Sequence, residues 1–192
     1  MNSFKSYITN YLSETQKIVE TIDRESILQF TEDLALLRKR GGRLFICGVG
    51  GSAANASHAV NDFRKILGIE SYSPTDNVSE LTARVNDESW EDSYVNWLKT
   101  CNLSEKDCVL VFSVGGGSEH TSQNLVRCMD HAKERGAMVL SIVSRDGGYA
   151  KKISDACILV PVISDERITP HAEGWQGVLW HMVVTCLGEN DG

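Results

Sequence analysis

Two stretches of this chain combine glycines and hydroxyls in a way that suits chemistry on a small anion. The first is Gly48-Val49-Gly50-Gly51-Ser52-Ala53-Ala54-Asn55-Ala56-Ser57-His58, running on to Asp62. Gly50 and Gly51 let backbone N–H groups approach an anion closely, because no Cβ stands in the way. If a helix starts there, its N-terminal dipole favours negative charge at the same spot. His58 and Asp62 are four residues apart, so on that helix they share a face as a candidate metal or acid–base pair. The second stretch is Ser113-Val114-Gly115-Gly116-Gly117-Ser118, a glycine run between two serines. The first stretch is not the dinucleotide fingerprint GxGxxG, and it lacks the lysine and Ser/Thr that close a P-loop. The chemistry indicated is phosphate binding beside a His/Asp pair.

The elements around them explain how such turns would be placed. Leu44-Phe45-Ile46-Cys47 and Cys108-Val109-Leu110-Val111-Phe112-Ser113 are continuous apolar runs, the pattern of strands buried on both faces. Helical segments are predicted over about 53–66 and 121–135, further strands over 137–143 and 156–160, and a last helix over 171–187. The turn Ser144-Arg145-Asp146-Gly147-Gly148 leads into a short helix between those two strands. Strands alternating with helices predict an α/β fold, a doubly wound parallel sheet covered on both sides. Ligands of such sheets sit outside the carboxyl ends of the strands, where both glycine turns fall. Between them, 68–78 reads as a loop with one short strand and 79–85 as a short helix. Asn86-Asp87-Glu88-Ser89 reads as a loop, followed by a helix over 90–100 with Trp90, Tyr94, Trp97 and Leu98 on one face.

Ahead of the first strand, 3–21 and 25–40 carry helical periodicity, and Gly41-Gly42 ends the second segment. Helices in this position are expected to pack on another subunit. The chain therefore divides into residues 1–40, N-terminal helices for oligomerisation, and 41–192, an α/β sandwich, within one domain.

Composition narrows the classes. The 192 residues are 42% hydrophobic and 23% charged, as in an ordinary folded domain. A net charge of -7 argues against a nucleic-acid partner. No apolar run approaches the roughly 20 residues that span a bilayer, so no membrane partner is expected. The N-terminus lacks the plan of a signal peptide, and the cytoplasm is the expected location. The six cysteines form no CxxC and read as reduced filler.

A strand ending in a GxGGSA turn, a later strand ending in a serine–glycine loop, and an SRDGG turn together resemble the SIS (sugar isomerase) domain. Within it the chain is similar to the phosphoheptose isomerases over essentially its whole length. The resemblance implies a flavodoxin-like sandwich whose N-terminal helices build a homotetramer, with active sites at subunit interfaces. It implies conversion of sedoheptulose 7-phosphate to D-glycero-D-manno-heptose 7-phosphate through an enediol, for nucleotide-activated heptose. It also implies zinc, or another divalent metal, one per subunit. Carried onto this sequence, the metal ligands are His58, Asp62, Glu173 and His181, and the acid–base groups are Asp62 and His181. Substrate contacts fall on Val49, Gly50, Gly51, Ser52, Asp62, Asn86, Asp87, Ser113, Val114, Gly115, Ser118 and Glu173, with the helix start after Ser118 helping to hold phosphate.

The chain departs from the family at several of these positions. Val49 stands where the family has asparagine, and Val114 and Gly115 thin the hydroxyls of the second loop. Asp62 replaces a glutamate, and Glu173 a glutamine, with Gln176 three residues on as a poorer fit. His171 is expected to face solvent at a helix start. These departures keep a rival reading open: a non-catalytic SIS-domain module that binds a phosphosugar or a protein, or an isomerase for a different phosphosugar.

Overall fold

Every residue of β1 (Leu44–Cys47) and β3 (Cys108–Phe112) is buried, which is what continuous apolar runs predict for strands covered on both sides. In the computed structural model, which describes residues 2–189, these two strands lie side by side at the centre of a five-stranded sheet. β2 (Ser71–Tyr72), β4 (Met138–Val143) and β5 (Ala156–Leu159) complete it in the order β2-β1-β3-β4-β5, all parallel. The strand order reverses direction between β1 and β3, so the crevice for a ligand lies above their carboxyl ends.

Among the described residues eight α-helices accompany the sheet: α1 (Asn2–Thr21), α2 (Arg24–Lys39), α3 (Gly51–Lys65), α4 (Val78–Asp87), α5 (Trp90–Thr100), α6 (Gln123–Glu134), α7 (Gly148–Ile153) and α8 (Ile168–Glu189). The period of two along each strand decides which helices meet it. Leu44, Ile46, Cys108, Leu110 and Phe112 face one way, into a core closed by Phe30, Leu34 and Leu37 of α2, Phe63 of α3 and Leu179 and Trp180 of α8. Phe45, Cys47, Val109 and Val111 face the other way, against Tyr94 and Leu98 of α5 and Leu125 and Met129 of α6. No helix among the described residues is long and apolar enough to cross a membrane.

Two expectations change here. The N-terminal helices do not act as one unit, because α2 is buried on its own sheet beside β5 while α1 remains largely exposed. Asn86 and Asp87 are not in a loop, since α4 runs through both. Its start is capped by the Asn77 side chain, which accepts from the Glu80 N–H.

Candidate functional site

The first turn is shaped by close approach. A Cβ on Gly48 would sit 2.4 Å from the Ser52 carbonyl oxygen, and Gly50 has φ +63 as it swings the chain into α3. From below, the buried Tyr94 hydroxyl donates to the Gly48 carbonyl at 2.9 Å, fixing the end of β1. Burial pushes the pKa of that hydroxyl up, so it keeps its proton and stays a donor.

The second turn is locked to the SRDGG turn. Ser113 Oγ accepts from the Gly116 N–H, Gly117 O accepts from Tyr149 N–H, and Gly116 O accepts from Ala150 N–H. Gly116 has φ +70, and a Cβ on it would sit 2.0 Å from the Gly147 carbonyl oxygen. Only glycine fits there.

Between the two turns lies a cavity of about 440 Å³. Six residues expected at the substrate line it: Val49, Ser52, Ser113, Val114, Gly115 and Ser118. Thr121, Ser122, Arg145 and Thr169 line it too, and sequence reasoning missed them. The helix start expected after Ser118 is instead at Gln123. Ser118 donates its N–H to the Thr121 carbonyl in a turn, and Ser122 is the residue that opens α6. Ser122 has the residue type of a helix N-cap, and that signal was available. Arg145 and Thr169 offered no comparable one.

The helix starts divide into two kinds. α2, α4 and α5 are capped by their own Asp23, Asn77 and Ser89 side chains. α3 and α6, which open onto the cavity, have no side-chain cap bond at Gly50 or Ser122. Their first N–H groups point to where an anion is stabilised.

Further along α3 lies the second part of the site. α3 and α8 run side by side, tied by the Asn55 amide, which donates to the Glu173 carbonyl at 2.9 Å and to Gln176 Oε1 at 3.0 Å. Asp62 Oδ2 lies 3.9 Å from His58 Nε2 and 3.8 Å from His181 Nε2. One ligand atom from each of the three falls within 4.8 Å of the others. The other Asp62 oxygen accepts from the Asn61 amide, leaving Oδ2 for the histidines. His181 Nδ1 is 2.7 Å from the Gly177 carbonyl, which fixes the proton on Nδ1 and leaves the Nε2 lone pair facing Asp62. The Trp180 indole stacks on His181 at 3.4 Å between ring centres and meets His58 edge-on, so both rings are held in place.

Three of the four expected metal ligands thus converge, and Glu173 does not. Its carboxylate lies over Gly51, where a Cβ would approach Glu173 Oε2 to 2.5 Å. Eight residues along α8 carry it about 12 Å from His181, too far to join the trio in this conformation. It stands instead at the N-terminal turn of α3, where the helix dipole favours a negative charge. Gln176 is fully buried and holds Asn55. Asn86 and Asp87 are exposed on α4, hydrogen-bonded to each other, and outside the cavity lining. His171 is buried rather than facing solvent.

Two nitrogens and a carboxylate oxygen suit zinc or a neighbouring divalent metal, so the residues present fit such an ion.

Comparison with known proteins bears on the family. The family described as SIS domain matches residues 6–144. A phosphoheptose isomerase of Helicobacter pylori (strain P12) is 30% identical over 177 residues, 90% of this chain and 87% of that one. A phosphoheptose isomerase of Aneurinibacillus thermoaerophilus is 26% identical over 95% of this chain and 93% of its own. The solved phosphoheptose isomerase GmhA of Neisseria gonorrhoeae superposes with a TM-score of 0.83 at 22% identity, covering 98% of each chain. The interlocked glycine turns at the β1/β3 crevice are therefore those of a SIS domain, and the chain belongs to that family, in its phosphoheptose isomerase branch.

Proposed function

We propose that this protein is a metal-dependent phosphoheptose isomerase that converts sedoheptulose 7-phosphate to D-glycero-D-manno-heptose 7-phosphate, in the supply of nucleotide-activated heptose. One observation carries the substrate reading: the anion cradle and the His/Asp trio lie at two ends of one helix. Ser52 and Asp62 are ten residues apart on α3, about 15 Å along its axis. An extended seven-carbon chain with a terminal phosphate spans about 10 Å, at ~1.2 Å per bond. Contacts of about 3 Å at each end make up the rest. The phosphate belongs at Ser52, Ser113, Ser118 and the open N–H groups of α3 and α6. The carbonyl end belongs at the trio.

The chemistry there moves protons. In the open-chain ketose the Asp62 carboxylate takes the proton from C1 while the C2 oxygen gains one, giving the enediol. A proton is then delivered to C2 while the C1 oxygen becomes the aldehyde, so nothing is oxidised or reduced overall. His181, with Nδ1 held by Gly177, has Nε2 as its one ring nitrogen open on the other side of C1–C2, and that atom exchanges protons only while it is not ligating a metal. His58, Asp62 and His181 would hold zinc or a similar ion, which supplies Lewis-acid polarisation of the substrate oxygens. Glu173, at the cradle end, is positioned to meet substrate hydroxyls. The six free cysteines agree with a reducing cytoplasm.

The rival reading rests on Val49 and Val114, which put apolar surface in the cavity and suit a binding module or a different phosphosugar. One experiment separates the two: metal content of the purified protein and turnover of sedoheptulose 7-phosphate, wild type against His181→Ala. We expect about one zinc per chain. Turnover should fall at least about 100-fold in the variant. A wild-type protein that binds the sugar phosphate and leaves it unconverted would overturn the enzyme in favour of the module.

A further inference from the structure

We propose that Arg145 is the cationic partner of the substrate's phosphate and sets the preference of this site for phosphorylated sugars. The inference rests on the reading of the cavity above as the phosphate end. Among the described residues Arg145 is the only positively charged one in the cavity lining. Its stem runs past the second glycine turn, with Cδ 3.9 Å from where a Cβ on Gly115 would be. The arginine stem thus lies in ordinary packing distance of the second glycine turn at Gly115.

Its backbone argues that the side chain is used. Arg145 has φ +55, a conformation that glycine adopts freely and that costs other residues strain. Three non-glycine residues with positive φ occur among those described, Asn102, Ser122 and Arg145, and the last two both line this cavity. The turn does not drift. On one side of Arg145, Ser144 donates its N–H to Val114 O and its hydroxyl to Val160 O. On the other, Gly147 N–H closes back on Ser144 O. The residue is therefore delivered to the cavity lining by a frame pinned to Val160, just past β5, and to the second glycine turn.

The guanidinium is also uncommitted. Arg43, Arg127 and Arg167 are paired with Asp107, Asp92 and Glu14, whereas among the described residues Arg145 has no carboxylate within ion-pair distance. Asp146, the one acidic residue in the lining, turns an oxygen to the Gly148 N–H. A guanidinium without an acid partner, beside hydroxyls and two uncapped helix starts, is the arrangement for charge-assisted hydrogen bonds to a phosphate.

The test uses Arg145→Met, Arg145→Lys and Arg145→Gly, the last because glycine suits the positive φ and keeps the fold. Two readouts are taken: thermal stabilisation by inorganic phosphate, and steady-state kinetics with sedoheptulose 7-phosphate. In Arg145→Met and Arg145→Gly, KM and the phosphate concentration for half-maximal stabilisation should both rise between about 10- and 100-fold, the range for a lost charged hydrogen bond. kcat should stay within about threefold, as expected when binding is lost uniformly in ground and transition states. Arg145→Lys should fall between wild type and Arg145→Met. Unchanged phosphate stabilisation and KM in Arg145→Gly would overturn the proposal and leave the isomerase standing. A kcat loss at constant KM would also overturn it, by placing Arg145 at the reacting carbons. Phosphate stabilisation lost in the variants of a protein that never converts the heptulose would support Arg145 and overturn only the substrate reading.

Discussion

Glu14 of α1 is held between two bases at the start of α8. Its two oxygens accept from Arg167 at 2.7 and 2.8 Å, and one of them also meets His171 Nε2 at 2.8 Å. Tyr11 lies against the His171 ring, 4.4 Å between centres. The Arg167 hydrogen bonds, then that of His171, hold the Glu14 carboxyl down to about 2. A carboxylate with a lowered folded value stabilises the fold above its unfolded value, and loses that contribution as pH falls toward the folded one. The unfolded value is about 4.3. Wild type should therefore exceed Glu14→Gln in urea midpoint by a constant margin from pH 5 to 7, and the margin should shrink steadily below about pH 4. A margin independent of pH would mean that the contact acts through packing alone. The sequence did not reveal this cluster, because Glu14 and His171 are 157 positions apart and nothing in either segment names the other. His58 and Asp62 were legible because helical spacing alone puts them on one face. Glu173 lies outside the trio for the complementary reason: angular position on a helix says nothing of the axial distance to a partner.

At the scale of elements, the strands were readable because a strand covered on both faces has no polar alternation to confuse it. The turns were readable because glycine is required where backbones touch. That requirement makes a paired prediction. Gly41→Ala meets nothing within 4 Å and suffers only its φ of +66, a cost of about 1 to 2 kcal/mol. Gly116→Ala has a similar φ of +70 but drives its Cβ into the Gly147 carbonyl, a backbone atom that cannot swing away. Overpacking adds about 1 to 3 kcal/mol to the same strain. Urea unfolding should rank the two variants in that order, and Gly116→Ala should also weaken phosphate stabilisation by prising the two turns apart. Equal costs would show that the SRDGG turn yields to its neighbour. The start of α6 was harder to read. Ser118 and Ser122 are both hydroxyl residues before a helical run, and only the turn from Ser118 to Thr121 decides that the helix waits for Gln123.

For the whole molecule, the open question is what covers α1. Phe4, Ile8 and Leu12 repeat every four residues on one face and are 77%, 59% and 63% exposed, a stripe typical of a helix that packs on something apolar. Among the described residues its own chain does not cover the stripe, since α2 already occupies the sheet face beside β5. The trio is open as well, with the His58 and His181 side chains 57% and 49% exposed. Moving protons at carbon requires water to be kept away from the developing enediolate, and one chain leaves that surface uncovered. A homo-oligomer, in the manner of the expected tetramer, would cover both surfaces. The double variant Phe4→Glu/Leu12→Glu places two charges in the stripe without touching the core and should shift the assembly to smaller species in light scattering. If closure of the trio depends on a neighbouring copy, turnover should fall at least about 100-fold as the assembly disperses, while thermal stabilisation by inorganic phosphate should persist if the proposed cradle uses only the cavity that one chain lines between its glycine turns. Dispersed subunits with full turnover would mean that α3 and α8 of a single chain suffice for the chemistry, leaving α1 a role in assembly alone.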